Sequence, residues 1–271
     1  MPALHHRHWP KGLSHDVRVP RVTLVHFLEV AAQRYPDKPA VLYCGAALTY
    51  SALWAKVNAM AAYLQQRLGV QRGDRVLLMS QNCPQFVIAY YAVLRAGAAV
   101  VPVNPMSTAP EIRYYLVDSG ARVAFVAQEL LPQALACTAP HQVDGLQALV
   151  VHAYSDGLPA QIGDEVPGWV TAPRELLTDA ACHGFEDALA AALQPAPDAG
   201  QPDDLAVLPY TSGTTGHPKG CMHTHSTVLA SNIASQLWRG LHADTVFLCV
   251  APLFHMLGMQ NGMNMPLTLG A

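Results

Sequence analysis

Charge is scarce in this chain: Asp, Glu, Lys and Arg make up only 13% of its 271 residues, and 16 basic against 19 acidic residues leave a formal charge of −3. That balance lacks the basic excess of a nucleic-acid-binding surface, and a 51% hydrophobic content lacks the polarity of a disordered chain. Long apolar runs are missing as well. Phe86 to Val103 comes nearest, but Arg95, Gly97 and Pro102 interrupt it, short of the roughly 20 residues that span a bilayer. The N-terminus carries His5, His6, Arg7 and His8 ahead of Trp9-Pro10-Lys11-Gly12, with no apolar segment behind it, so a secretory signal is not expected there. These absences predict a soluble, cytoplasmic protein with no integral membrane segment and no nucleic-acid partner.

Close cysteine pairs are also lacking. Cys44, Cys83, Cys137, Cys182, Cys221 and Cys249 are scattered with no CxxC, which fits reduced, mostly buried thiols better than a disulfide framework. The histidines at positions 5, 6 and 8 could capture a metal without being built for one, and no metal site is expected. Cys221, His223 and His225 alternate as ligands on one strand face would, yet no fourth ligand accompanies them, and packing is the better reading.

What the chain does have is a regular alternation. Leu24, Phe27, Leu28 and Ala31 recur at helical spacing within 23–34; 40–43 and 47–50 read as a hairpin around Cys44-Gly45-Ala46; and Ser51 caps a helix ending near Gly69. Beyond Gly73-Asp74, short apolar strands (75–79, 98–103, 122–127, 146–152) alternate with helices (84–95, 109–119), and an alanine-rich helix covers 185–193. Fully apolar strands between helices mark an α/β fold with layered, mostly parallel sheets covered by helices. Gln194 to Asp204 holds three prolines and three aspartates and reads as an exposed connector. It separates a first α/β subdomain (1–193) from a segment (205–271) that begins a second. In that segment the pattern predicts strands at 205–210, 221–225 and 245–250, a helix at 226–237, and the start of another helix before the end.

The chemistry concentrates in Tyr210-Thr-Ser-Gly-Thr-Thr-Gly-His-Pro-Lys-Gly220. Glycines let successive backbone N–H groups converge on an anion, hydroxyls add donors and a lysine adds a point charge, which together make a phosphate cradle. Pro218 before Lys219 and Gly220 after it exclude a Walker A loop, whose lysine is followed by a magnesium-binding hydroxyl.

With this loop, three further segments resemble the AMP-forming adenylate enzymes, a family that includes acyl-CoA synthetases, luciferases and peptide-synthetase adenylation domains. They are Leu48-Thr-Tyr-Ser-Ala-Leu53, Leu94-Arg-Ala-Gly-Ala-Ala-Val-Val-Pro-Val-Asn104 and Pro252-Leu-Phe-His255, in the family's order. The resemblance implies a two-step ligation in which a carboxylate attacks the α-phosphate of ATP, releasing pyrophosphate, and the thiol of coenzyme A then displaces AMP. It implies ATP, Mg2+ and coenzyme A as cofactors, a carboxylic acid of the fatty-acid kind as substrate, and leaves a homodimer open. By matching residues, Thr211, Ser212, Gly213, Thr214, Thr215, Gly216 and Lys219 form the triphosphate loop, with Lys219 and His255 the catalytic candidates.

Amino-acid-activating relatives place an aspartate where His255 stands, so the imidazole disfavours an α-amino acid. Met256 and Met259 follow as candidate walls of an acyl pocket, although ordinary helix packing explains them equally well. Some long-chain members carry a tryptophan gate where Met259 stands, so chain length stays undefined. The adenine-stacking Tyr-Gly-x-Thr-Glu segment, the ribose-binding aspartate, the hinge and the C-terminal lysine of the family do not occur in these 271 residues. The expectation is an N-terminal part of an acyl-CoA synthetase, unable alone to complete adenylation. The alternatives are an aryl-CoA or luciferase-like ligase and, from another class, a non-catalytic binding or regulatory protein.

Overall fold

The computed structural model describes residues 4–138, 145–163, 165–211 and 218–271. Helix α1 (Leu24–Arg34) is capped by Thr23 and leads into the hairpin of β1 (Pro39–Tyr43) and β2 (Ala46–Thr49). Helix α2 (Tyr50–Gln66) starts one residue before the expected cap: the Thr49 hydroxyl accepts from the Ala52 N–H at 3.2 Å, while the Ser51 hydroxyl donates to the Pro36 carbonyl. Both residues are competent caps, and the end of β2 places Thr49 at the junction.

Then come β3 (Arg75–Met79), α3 (Pro84–Arg95), β4 (Ala99–Val103), α4 (Ala109–Ser119), β5 (Val123–Ala127), α5 (Leu131–Leu135), β6 (Ala148–His152), β7 (Cys182–Gly184) and α6 (Phe185–Ala190). Strand β8 (Leu205–Val207) completes a seven-stranded sheet with β11 (His223–Thr224), in the order β11-β8-β4-β3-β5-β6-β7. All neighbours are parallel except β11, which runs antiparallel to β8.

The sheet shows why its strands are apolar throughout. Val76, Leu78, Val100, Phe125 and Val150 face a core shared with α1, α2 and α3, whereas Leu77, Met79, Val101, Ala124 and Val126 face a second core with Ile112 and Leu116 of α4. Alternation along each strand sorts neighbouring residues into opposite layers, so both sets must be apolar. Helix α3 is buried along its whole length, and its N-terminus is capped by the Cys83 Sγ, which accepts from Phe86 N–H, with Pro84 at the first helical position. Gly120, in the left-handed region at φ +69°, ends α4.

The connector 194–204 is irregular and pinned against the helices. Arg95 donates to the Ala196 carbonyl at 2.9 Å, Gln65 accepts from the Ala196 N–H, and Arg72 grips Asp204 with two 2.8 Å bonds that hold its carboxyl below the usual range.

Three expected strands differ. Residues 205–210 split into β8 and β9 (Tyr210–Thr211), separated at Pro209, which has no N–H for a ladder; β9 pairs instead with β10 (Lys219–Gly220). Residues 221–225 likewise split, because Thr224 caps α7 (His225–Arg239) and turns His225 into a helical residue. Residues 245–250 form no ladder among the described residues: Val246, Leu248 and Val250 are 88%, 88% and 79% exposed. The chain ends in α8 (Met256–Gly258), a π-helical stretch (Met259–Asn264) and α9 (Met265–Leu269). Among the described residues no helix is long and apolar enough to cross a membrane.

Candidate functional site

The short hairpin of β9 and β10 sets Thr211 directly opposite Lys219, with both residues exposed. Antiparallel pairing sets a hydroxyl and an ammonium opposite each other at the two described ends of the glycine-rich segment. Ser212, Gly213, Thr214, Thr215 and Gly216 lie outside the described residues. The feet of the hairpin stand on α4. The Tyr114 hydroxyl donates to the Pro218 carbonyl at 2.8 Å, the Tyr210 hydroxyl donates to the Asp118 carboxylate at 2.6 Å, and the Tyr115 and Tyr210 rings meet at 4.6 Å. Burial and then the Asp118 acceptor push the Tyr210 phenol upward, so it stays protonated and keeps donating.

The second group lies on 251–264. Asn82, in the turn before α3, accepts from Leu253 N–H at 2.7 Å and donates to the Ala251 carbonyl at 3.0 Å, which fixes the backbone of Pro252-Leu253-Phe254-His255. Gly258 packs directly on that backbone: a Cβ there would stand 2.1 Å from the Pro252 carbonyl oxygen. His255 is exposed and caps α8, its Nδ1 accepting from Leu257 N–H at 3.3 Å. Met259 is fully buried in the core shared with α1 and α3, and Met256 packs half-buried against it.

Further on, the Asn264 side chain accepts from the Tyr91 hydroxyl and donates to the Tyr90 hydroxyl, each at 3.0 Å, and this buried network holds the π-helical stretch against α3. Thr211 and Lys219 are therefore brought together, while His255, Met256 and Met259 form a separate group fastened to the start of α3.

Cys221, His223 and His225 do not form a ligand set. His225 is buried, its Nδ1 accepts from Leu24 N–H at 3.2 Å, and the described residues gather no group of three metal-ligating side chains. Sequence reasoning missed Asn82, Tyr114 and Asp118, and placed Tyr210 in the loop segment without assigning it a partner. Asn82 stands directly before the Cys83-Pro84 start of a helix, a visible turn signal, but its partners are about 170 residues away, and no local pattern reports such pairs.

Comparison with known proteins gives a consistent picture. A family model described as AMP-binding enzyme matches residues 28–271. The chain is 34% identical over 271 residues to a long-chain-fatty-acid–CoA ligase of Bacillus subtilis (strain 168), covering 97% of this chain and 47% of that relative. It is 33% identical over 244 residues to 4-coumarate–CoA ligase 1 of Oryza sativa subsp. japonica, covering 84% and 38%. Among solved structures it is similar to the anthranilate CoA ligase AuaEII in complex with anthranoyl-AMP, with a TM-score of 0.75 at 25% identity over 94% of this chain and 45% of that one. The chain thus spans about half the length of the curated relatives it matches.

Proposed function

The chain belongs to the AMP-binding enzyme family, and from that membership we propose that the whole protein is an ATP-dependent ligase joining a carboxylic acid, of the fatty-acid class, to coenzyme A. The observation that carries the reading is the β9/β10 pairing, which sets Thr211 opposite Lys219 at the two ends of a Gly/Ser/Thr-rich segment. A carboxylate oxygen attacks the α-phosphorus of ATP, the bond to the pyrophosphate oxygen breaks, and the charge gained by the leaving group needs cations and donors already in place. Lys219 supplies the charge, and Thr211 with the hydroxyls and N–H groups of 212–216 supplies the donors. In the second step a thiol attacks the acyl carbon and AMP departs.

Mg2+ takes most of its ligands from phosphate oxygens and water. The described ends of the loop, Thr211 and Lys219, supply no carboxylate, so a carboxylate ligand for Mg2+ would come from outside them.

On the acid side, the exposed His255 offers no carboxylate to pair with an α-ammonium group, which supports a simple acid. The similarity to fatty-acid ligases favours an alkyl chain, and the similarity to 4-coumarate–CoA ligase names the aryl acids as the comparison to run. The test is acyl-CoA formation by the intact protein with alkanoates, cinnamate- and benzoate-type acids, and α-amino acids. Turnover of alkanoates above all others is expected. Turnover confined to aryl acids would transfer the assignment to that class, and acid-independent ATP consumption with no thioester would overturn it.

A further inference from the structure

Among the described residues two pairs join β9 to β10, and a two-stranded ribbon even of greater length is marginal in water by itself. The hairpin therefore needs support from elsewhere, and α4 provides it at both feet. Tyr114 and Asp118 are four residues apart and share one face of the helix. Tyr114 holds the carbonyl of Pro218, the residue before Lys219, at 2.8 Å; Asp118 holds the hydroxyl of Tyr210, the residue before Thr211, at 2.6 Å. Tyr115 adds its ring against Tyr210 between them. The helix is itself firmly rooted: Ile112 and Leu116 are buried in the second core, and Glu111 accepts from the Thr108 N–H at 2.7 Å to close its first turn.

We infer that Tyr114 and Asp118 are positioning residues for adenylation, setting the separation and direction of Thr211 and Lys219 through the residue that precedes each. The inference rests on the reading of the hairpin as the triphosphate loop. Both contacts act on the backbone or a neighbour of the phosphate-binding groups, through Pro218 and Tyr210, so their loss should fall on the nucleotide and leave the acid alone.

The test uses the intact protein with Tyr114→Phe, Tyr210→Phe, Asp118→Ala and the Tyr114→Phe/Asp118→Ala pair, with Lys219→Ala as reference. KM for ATP, KM for the acid, kcat, melting temperature and hydrogen exchange of the 219–220 amides are measured. Each single change should raise the ATP KM about fivefold and the pair about thirtyfold, the loss expected from one and two net hydrogen bonds. The acid KM and the melting temperature should hold, exchange at 219–220 should accelerate, and Asp118→Asn, which keeps an acceptor oxygen, should recover most of the loss. If Lys219→Ala leaves ATP binding intact, the hairpin is not the triphosphate loop and the reading beneath this one falls. If Lys219→Ala weakens ATP binding while the α4 variants do not, the positioning role alone falls. Equal losses for ATP and acid with a lowered melting temperature would show ordinary structural contacts and overturn the inference as well.

Discussion

Strand β5, Val123-Ala-Phe-Val-Ala127, and the stretch Thr245-Val-Phe-Leu-Cys-Val250 have nearly the same chemistry, yet the first is buried at every position and the second leaves alternate residues almost fully exposed. The difference lies in what surrounds them. Strand β5 has β3 and β6 as hydrogen-bonded neighbours and a helical layer on each face. Residues 245–250 have one settled side only: Cys249 lies against Gly262, where a Cβ would stand 2.5 Å from its sulfur, and Asn82 reaches the same sulfur at 3.6 Å. An apolar run thus records a demand for burial on two faces, and a ladder with a covering layer decides whether that demand is met.

Mutation separates the two regions most sharply. Phe125→Ala, at 0% exposure among Phe185 and the α3 side of the sheet, should cost about 3–5 kcal/mol in denaturant unfolding. A cost below about 1 kcal/mol would show that the sheet is not the packed core described.

Acid offers the next largest effect. Burial holds His152, at the end of β6, down to about 3 and His225, at the start of α7, down to about 4, against an ordinary 6.5. Both stay neutral in the folded chain while the unfolded chain takes up protons below 6.5, so stability falls as pH drops from 6.5 toward 4. Each histidine should remove about 2 kcal/mol at about pH 5. A His225→Gln variant should flatten that slope, and an unchanged slope would count against a neutral buried ring.

Smallest is Leu248→Ala in the uncovered stretch, expected to stay within about 0.5 kcal/mol of the parent. A loss as large as that of Phe125→Ala would erase the distinction between the two regions.

Local chemistry was readable along most of the chain. Helix α3 runs from Pro84 to Arg95 and α4 from Ala109 to Ser119, as their apolar spacing and flanking signals predict. Strands of β3 to β6 stand within two residues of their apolar runs. What failed depended on partners or on competition between adjacent residues. Thr49 and Ser51 are equal as caps until β2 ends. Pro209 divides an apolar run that composition alone makes continuous, and 245–250 is a strand by pattern without a ladder. In the site, the loop that ends in Lys219 announces itself by glycine, hydroxyl and lysine content. The Tyr114–Pro218, Tyr210–Asp118 and Asn82–Leu253 contacts span about 90 to 170 residues and leave no periodic trace.

The most direct test of the central claim is the affinity of the intact protein for ATP and pyrophosphate, measured by calorimetry before and after Lys219→Ala. The account predicts a loss of at least tenfold for both ligands, the worth of one charge-assisted phosphate contact, with acid binding and melting temperature unchanged. Equal affinities in the two proteins would contradict it, because the hairpin would then hold no phosphate.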